Sequence, residues 1–133
     1  MPARITPDSN ILISALIFGG TPLRLLDMAL GGEVLLFISN EILQETLRVL
    51  RDKFGLSQER LARAEHYIGA CTERVKPSRR IDVIKDDPDD NRVLECAEAS
   101  TCEFIVTGDS DLLRLGKYGS IRITTVRSFL DRT

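Results

Sequence analysis

Glu103-Phe104-Ile105-Val106-Thr107-Gly108-Asp109 decides the fold of this chain. Its apolar run is unbroken, as in a strand buried on both faces; a half-exposed strand would alternate apolar and polar residues. Gly108 permits a sharp turn after the strand. Asp109 then either caps the next turn or projects over the sheet edge as a ligand.

The same grammar recurs outward from this segment. Arg4 to Thr6 reads as a short strand stopped by Pro7, with Asp8 just beyond it. Glu33 to Ile38 (EVLLFI) reads as a buried strand, and Ile121 to Val126 as a last one followed by a short helix to Asp131. Helical patterns fill the intervals. Asn10–Phe18 and Pro22–Leu30 are split by Gly19-Gly20-Thr21, with Thr21 as N-cap and Pro22 at the first helical position. Ser39 caps a helix to about Phe54, and Ser57 caps one to about Arg74. Asp87-Pro88 opens a helix through about Ser100, after an irregular basic stretch from Lys76 to Lys85. Strands separated by helices imply a parallel sheet covered on both faces, a three-layer α/β/α sandwich. Residues 1–133 suffice for a single domain with a real core. In such sheets, sites form beyond the carboxyl ends of the strands, where Asp8 and Asp109 fall.

Composition narrows the function classes. The net charge is −2, so there is no global basic field to attract nucleic acid. Cys71, Cys96 and Cys102 are odd in number and form no C-x-x-C pair, which suits reduced thiols in a cytoplasmic protein. His66 is the only histidine, which argues against zinc, and it reads as a surface residue. No apolar stretch approaches the roughly 18 residues of a membrane span, and no signal peptide is expected. Phe18, Phe37, Phe104 and Phe129 sit in apolar runs and read as core, with Phe54 and Tyr118 more exposed.

Four acids stand out: Asp8, Glu45, Asp90 and Asp109. Asp8 could cap the helix beginning near Ile11, or Asn10 could be that cap or orient the carboxylate. Glu45 lies at the edge of the stripe Ile42, Leu43, Thr46, Leu47, Val49 and Leu50, whereas Glu41 is further from it. Asp87 as N-cap with Pro88 at the first helical position accounts for part of the run Asp86 to Asp90. It leaves Asp90, which shares a face with Val93, Leu94 and Ala97. Asp89 reads as solvated, and Asp111 as a cap or support. Several carboxylates brought towards a core are costly unless a cation neutralises them. An all-carboxylate set fits Mg²⁺ or Mn²⁺ rather than zinc. Such ions suit phosphoryl chemistry, polarising the phosphate and lowering the pKa of a bound water. Arg74, Lys76, Arg79, Arg80 and Lys85 form a basic patch that reads either as a phosphate-steering rim or as a solvated loop.

These stretches resemble the PIN domain, in particular the toxin components of bacterial toxin–antitoxin pairs. The resemblance rests on Asp8 to Leu16, on Ile38 to Glu45, on Asp87-Pro88-Asp89-Asp90-Asn91 and on Val106 to Leu113. It implies a catalytic quartet of Asp8, Glu45, Asp90 and Asp109, with Asp8, Asp90 and Asp109 holding metal. Asn10, Ser14, Thr107 and Asp111 match the supporting polar positions. It also implies a Mg²⁺- or Mn²⁺-dependent ribonuclease acting on RNA, a homodimer and an antitoxin partner. Lys76, Arg79 and Arg80 would contact the RNA. A non-catalytic binding or scaffold module is the rival reading, and the completeness of the acidic set speaks against it. A phosphatase-like α/β domain needs a second Asp two residues after the first; Asn10 stands there instead.

Overall fold

The computed structural model describes residues 1–132, arranged around a six-stranded sheet flanked by helices. The chain runs β1 (Ala3–Pro7), α1 (Ser9–Ile17), α2 (Gly20–Leu30), β2 (Val34–Ser39), α3 (Asn40–Asp52), α4 (Gln58–Cys71) and β3 (Thr72–Val75). A single 3-10 turn, Pro88–Asp90, leads into α5 (Asn91–Ala99). Then come β4 (Phe104–Val106), α6 (Ser110–Leu115), β5 (Lys117–Tyr118), β6 (Ile121–Thr124) and α7 (Val126–Asp131). The strand order is β3-β2-β1-β4-β6-β5. Every pairing is parallel except β5 with β6.

That order explains where a site can form. From β1 the chain steps to β2 on one side, and only later to β4 on the other. The crevice at this reversal lies beyond the carboxyl ends of β1 and β4. The two ends are locked together, since Pro7 pairs with Val106 and the Asp8 N–H donates to the Val106 carbonyl at 2.9 Å. The residues following each strand, Asp8 and Thr107-Gly108-Asp109, are therefore neighbours.

Burial drives this assembly. Ile5, Leu36, Ile38 and Ile105 in the central strands are at most 1 % exposed. Leu12 of α1, Leu25 and Leu26 of α2, Ile42 and Leu43 of α3 and Leu94 of α5 complete the core at similar values. Each such side chain contributes about 1.5–3 kcal/mol relative to exposure. All three cysteines are free and buried. No helix is by itself long and apolar enough to cross a membrane, among the described residues.

Several local expectations are corrected. Pro7 does not stop β1 but belongs to it. N–H groups alternate sides along a strand, and the Asp8 N–H points to β4, so the missing Pro7 donor faces β2. The register with β2 has already ended at Ile5 and Leu36, so no ladder bond is lost. The helix that should reach Arg74 stops at Cys71, and Thr72–Val75 becomes an edge strand with a half-exposed pattern. Its two central residues, Glu73 and Arg74, are exposed and charged, which hid the strand. α2 is entered through Gly19 and Gly20, at φ +74° and +65°, rather than capped by Thr21; few other residues hold such angles. The last parallel strand ends at Thr124, not Val126. α6 and the two-residue antiparallel β5 carry too little pattern to be read from sequence. Phe18 is 76 % exposed instead of buried and meets Phe54 edge-on at 6.2 Å.

The stretch between β3 and the 3-10 turn is strapped to α5 by side chains. Asn91, 1 % exposed, accepts from the Val83 and Ile84 N–H groups and donates to the Ile84 and Pro88 carbonyls. Glu95, 3 % exposed, accepts from the Ile81 N–H at 2.8 Å and from Arg92 at 2.8 Å. Asn91→Ala would orphan buried backbone groups, each worth about 1–3 kcal/mol. The variant should unfold at lower urea and be cut faster by protease within residues 81–88. A variant with wild-type stability and cutting would show that the strap is held by Ile81 and Ile84 alone.

Candidate metal centre

Asp8 sits at the N-cap position of α1, yet its side chain makes no cap bond. Its carboxylate turns towards the sheet instead. Oδ2 accepts from the Thr107 hydroxyl at 2.8 Å and from Asn10 Nδ2 at 2.9 Å, and the residue is 4 % exposed. Asn10 also receives a long contact of 3.4 Å from the Gly108 N–H, and so spans both strand ends. Gly108 is not in the left-handed region, and a Cβ there would meet Asn10 Oδ1 at an ordinary 3.8 Å. The turn does not need glycine for its backbone angle.

Asp109 caps α6 through one oxygen, Oδ1, which accepts from the Asp111 and Leu112 N–H groups at 2.8 and 3.1 Å. Both meanings of this acid therefore hold together, since Asp109 caps α6 and also belongs to a cluster of carboxylates. The Thr107 hydroxyl accepts from the Asp109 N–H at 2.9 Å while donating to Asp8. One buried threonine thus fixes two carboxylates.

Asp90 ends the 3-10 turn that Asn91 anchors. It is 6 % exposed, and its Oδ2 is buried without any hydrogen-bond partner. Asp87, Asp90 and Asp109 each offer a carboxylate oxygen, and the three oxygens lie within 4.8 Å of one another. Asp87 stands at the N-cap position of the turn without a side-chain cap bond, so its carboxylate is available to the cluster. Sequence reasoning treated it as a cap. Asp8 is not in this tight trio, but its charge is felt there. Burial, then the Asp109 carboxylate by hydrogen bond and like charge, then Asp87 and Asp8, push the Asp90 pKa up to about 8. Burial also raises Asp8, with Glu45 and Asp109 adding repulsion against the lowering hydrogen bond from Thr107.

Glu45 approaches from α3. Its Oε2 accepts from the Ser9 hydroxyl, which also lies 3.4 Å from Asp8 Oδ1, and its Oε1 is 3.9 Å from Arg48. Glu41 is exposed on the same helix. Ser9 links Glu45 to Asp8 and was not singled out from sequence, although it lies between Asp8 and Asn10. Ser14 is half-buried and hydrogen-bonds none of the four acids. Asp111 pairs with Arg114 at 3.1 Å in the first turns of α6.

A cleft of about 760 Å³ adjoins Glu45 and is lined in part by Arg48, Arg51, Arg80 and Arg92. Arg80 is 71 % exposed and 3.9 Å from Glu95, so its charge remains open to the cleft. Arg79 is engaged elsewhere, forked onto Glu98 at 2.7 Å with a further bond to the Tyr118 hydroxyl. Lys76 is exposed and makes no ion pair among the described residues. Lys85 pairs with Asp82 at 2.7 Å, and Arg74 donates to Asn40 at 3.2 Å.

A family model described as the PIN domain matches residues 4–111. The chain belongs to the PIN domain family. No curated protein matches it. PIN domains are generally nucleases, and PIN nucleases typically use divalent metals. The residues of this PIN domain fit such an ion. The donor set is all oxygen, as hard cations prefer, and the buried Asp90 oxygen lacks the partner that a cation would supply.

The sign of the Asp90 shift makes this testable. A carboxyl whose folded pKa of about 8 exceeds its ordinary value of 3.8 holds its proton more tightly when folded. Its stabilising contribution is full below the unfolded value and is lost as pH rises through the folded one. In EDTA, Asp90→Asn should therefore melt above wild type by a margin that grows from pH 5 to pH 8. Millimolar Mn²⁺ should raise the wild-type melting temperature by mass action and the variant's much less. A margin independent of pH, or equal Mn²⁺ shifts, would dismantle the site.

Proposed function

We propose that this PIN domain is a Mg²⁺- or Mn²⁺-dependent endoribonuclease, the toxin half of a toxin–antitoxin pair. The observation that carries the metal-dependent nuclease reading is the convergence of Asp87, Asp90 and Asp109, one of which, Asp90, has a buried carboxylate oxygen with no partner. Asp87, Asp90 and Asp109 would hold the cation, with Asp8 beside them adding negative charge. When bound, the cation neutralises negative charge on the phosphate and acidifies a water.

The chain's own groups do the rest. Thr107 and Asn10 keep Asp8 and Asp109 in register across the two strand ends. Ser9 fixes Glu45 Oε2, which leaves Oε1 to accept a proton from the attacking water. Arg48 and Arg80 in the adjoining cleft bind the phosphates of the flanking strand, while Arg92 is held on Glu95. Lys76 extends this cationic border; Arg79, already forked onto Glu98, does so less. The resemblance of the motifs to toxin components supports the further elements: a homodimer, an antitoxin protein that silences it, and a cytoplasmic setting.

Glu45 and Glu41 separate the site from its surroundings. General acid–base groups contribute roughly 10²–10⁴-fold. Glu45→Gln should slow Mn²⁺-dependent cleavage of labelled single-stranded RNA by about that range, while Glu41→Gln stays within a few-fold of wild type. Equal losses in the two variants would mean that the site is not where this geometry puts it. Unchanged metal-dependent cleavage in Asp109→Asn would remove the nuclease assignment altogether.

A further inference from the structure

A second concavity, of about 540 Å³, opens between β6 and α7. Lys117, Arg122 and Arg132 line it, together with Ser128. No acidic side chain does, in contrast to the large cleft, where Glu41, Glu45, Glu65 and Asp89 stand among the arginines. Among the described residues, none of the three cations pairs with a carboxylate or uses its side chain in a hydrogen bond. Arg132 is nevertheless held in place. Its guanidinium lies 4.7 Å from the Phe104 ring centroid and 4.6 Å from that of Phe129. Stacking of this kind fixes the plane of the group and leaves its five N–H donors free.

In a chain of net charge −2, three cations around one hollow without a carboxylate partner among the described residues are a local exception. Such a hollow attracts anions, and the forked donors of arginine match phosphate oxygens. Its position narrows the ligand. α6, capped by Asp109 of the acidic cluster, runs from Ser110 to Leu115, beside Gly116 and Lys117 of the hollow. Six helical residues at about 1.5 Å each span roughly 9 Å. Asp90 of the acidic cluster is recessed at 6 % exposed, as is the neighbouring Asp8 at 4 %, which favours a strand that can bend towards them.

We propose that the Lys117–Arg122–Arg132 hollow is an accessory site for the phosphate backbone of single-stranded RNA, holding the strand a short helix away from the acidic cluster. The inference rests on RNA being the substrate of that cluster. The substrate would then be a strand extending several nucleotides beyond the cleaved bond rather than a dinucleotide.

The test uses the full chain and a labelled 20-nucleotide single-stranded RNA in EDTA. Binding is read without cleavage, so a failed nuclease reading would not mask the answer. Arg122→Ala with Arg132→Ala should weaken binding and flatten its salt dependence, the log–log slope falling by up to about 0.7 per lost phosphate contact. Arg24→Ala with Arg60→Ala, two exposed cations elsewhere, removes the same charge and should leave the slope unchanged. If the first variant melts early, Lys117→Ala with Arg122→Ala replaces it and leaves the rings and Arg132 intact. Equal effects of pocket and control variants would overturn the site in favour of diffuse charge. Displacement of the RNA by millimolar inorganic phosphate alone would make it a small-anion site. Binding of polyglutamate as tightly as RNA would point to an acidic protein partner instead, and either result overturns the proposal.

Discussion

Carboxylates gathered in a recess repel one another, and everything around this site can be understood as holding them there. Two unit charges 4.8 Å apart repel by roughly 3 kcal/mol at an effective dielectric of about 20. That is a sizeable part of the 5–15 kcal/mol that keeps a typical domain folded. The fold meets the cost by rigid attachment: Asp8 and Asp109 on adjacent strand ends, Asp90 on a turn that Asn91 pins to the strap. Protonation of Asp90 relieves the strain in one way, and a divalent cation relieves it in another. The second leaves all the carboxylates ionised, as phosphoryl chemistry requires.

The parallel sheet makes such attachment possible. Its order reverses at β1, so residues far apart in sequence leave the sheet side by side. Thr107 then acts at the centre, donating to one carboxylate and accepting from the backbone of the other. α3 adds Glu45 from the side and carries the arginine-lined cleft with it. Charge is thus partitioned over a small molecule, with acids converging at the strand ends and cations set around them.

Much of this was legible in the sequence, for physical reasons that can be traced. The unbroken apolar runs of β2 and β4 announce burial on both faces, and an acid directly after such a run stands at a sheet end. The stripe of α3 distinguished Glu45 from Glu41 by angle alone. What escaped were features decided by tertiary contact. Asp87 has the local signature of a cap, and only the turn geometry frees its carboxylate. Asn91 and Glu95 look like ordinary helix residues until the strap folds over them. Phe18 is apolar by type, yet in the described chain it meets only the edge of Phe54 and stays 76 % exposed. β3 failed to show because an edge strand with Glu73 and Arg74 outward does not carry the pattern of a buried one.

The central claim is that a divalent cation belongs among these carboxylates, at Asp90 above all. Crystals of the protein soaked in millimolar Mn²⁺, with data recorded at the manganese edge, test it directly. The account predicts an anomalous peak within coordinating distance of Asp90 Oδ2 and an Asp109 oxygen. An empty recess with Asp90 and Asp109 still facing each other across a shared proton would contradict it.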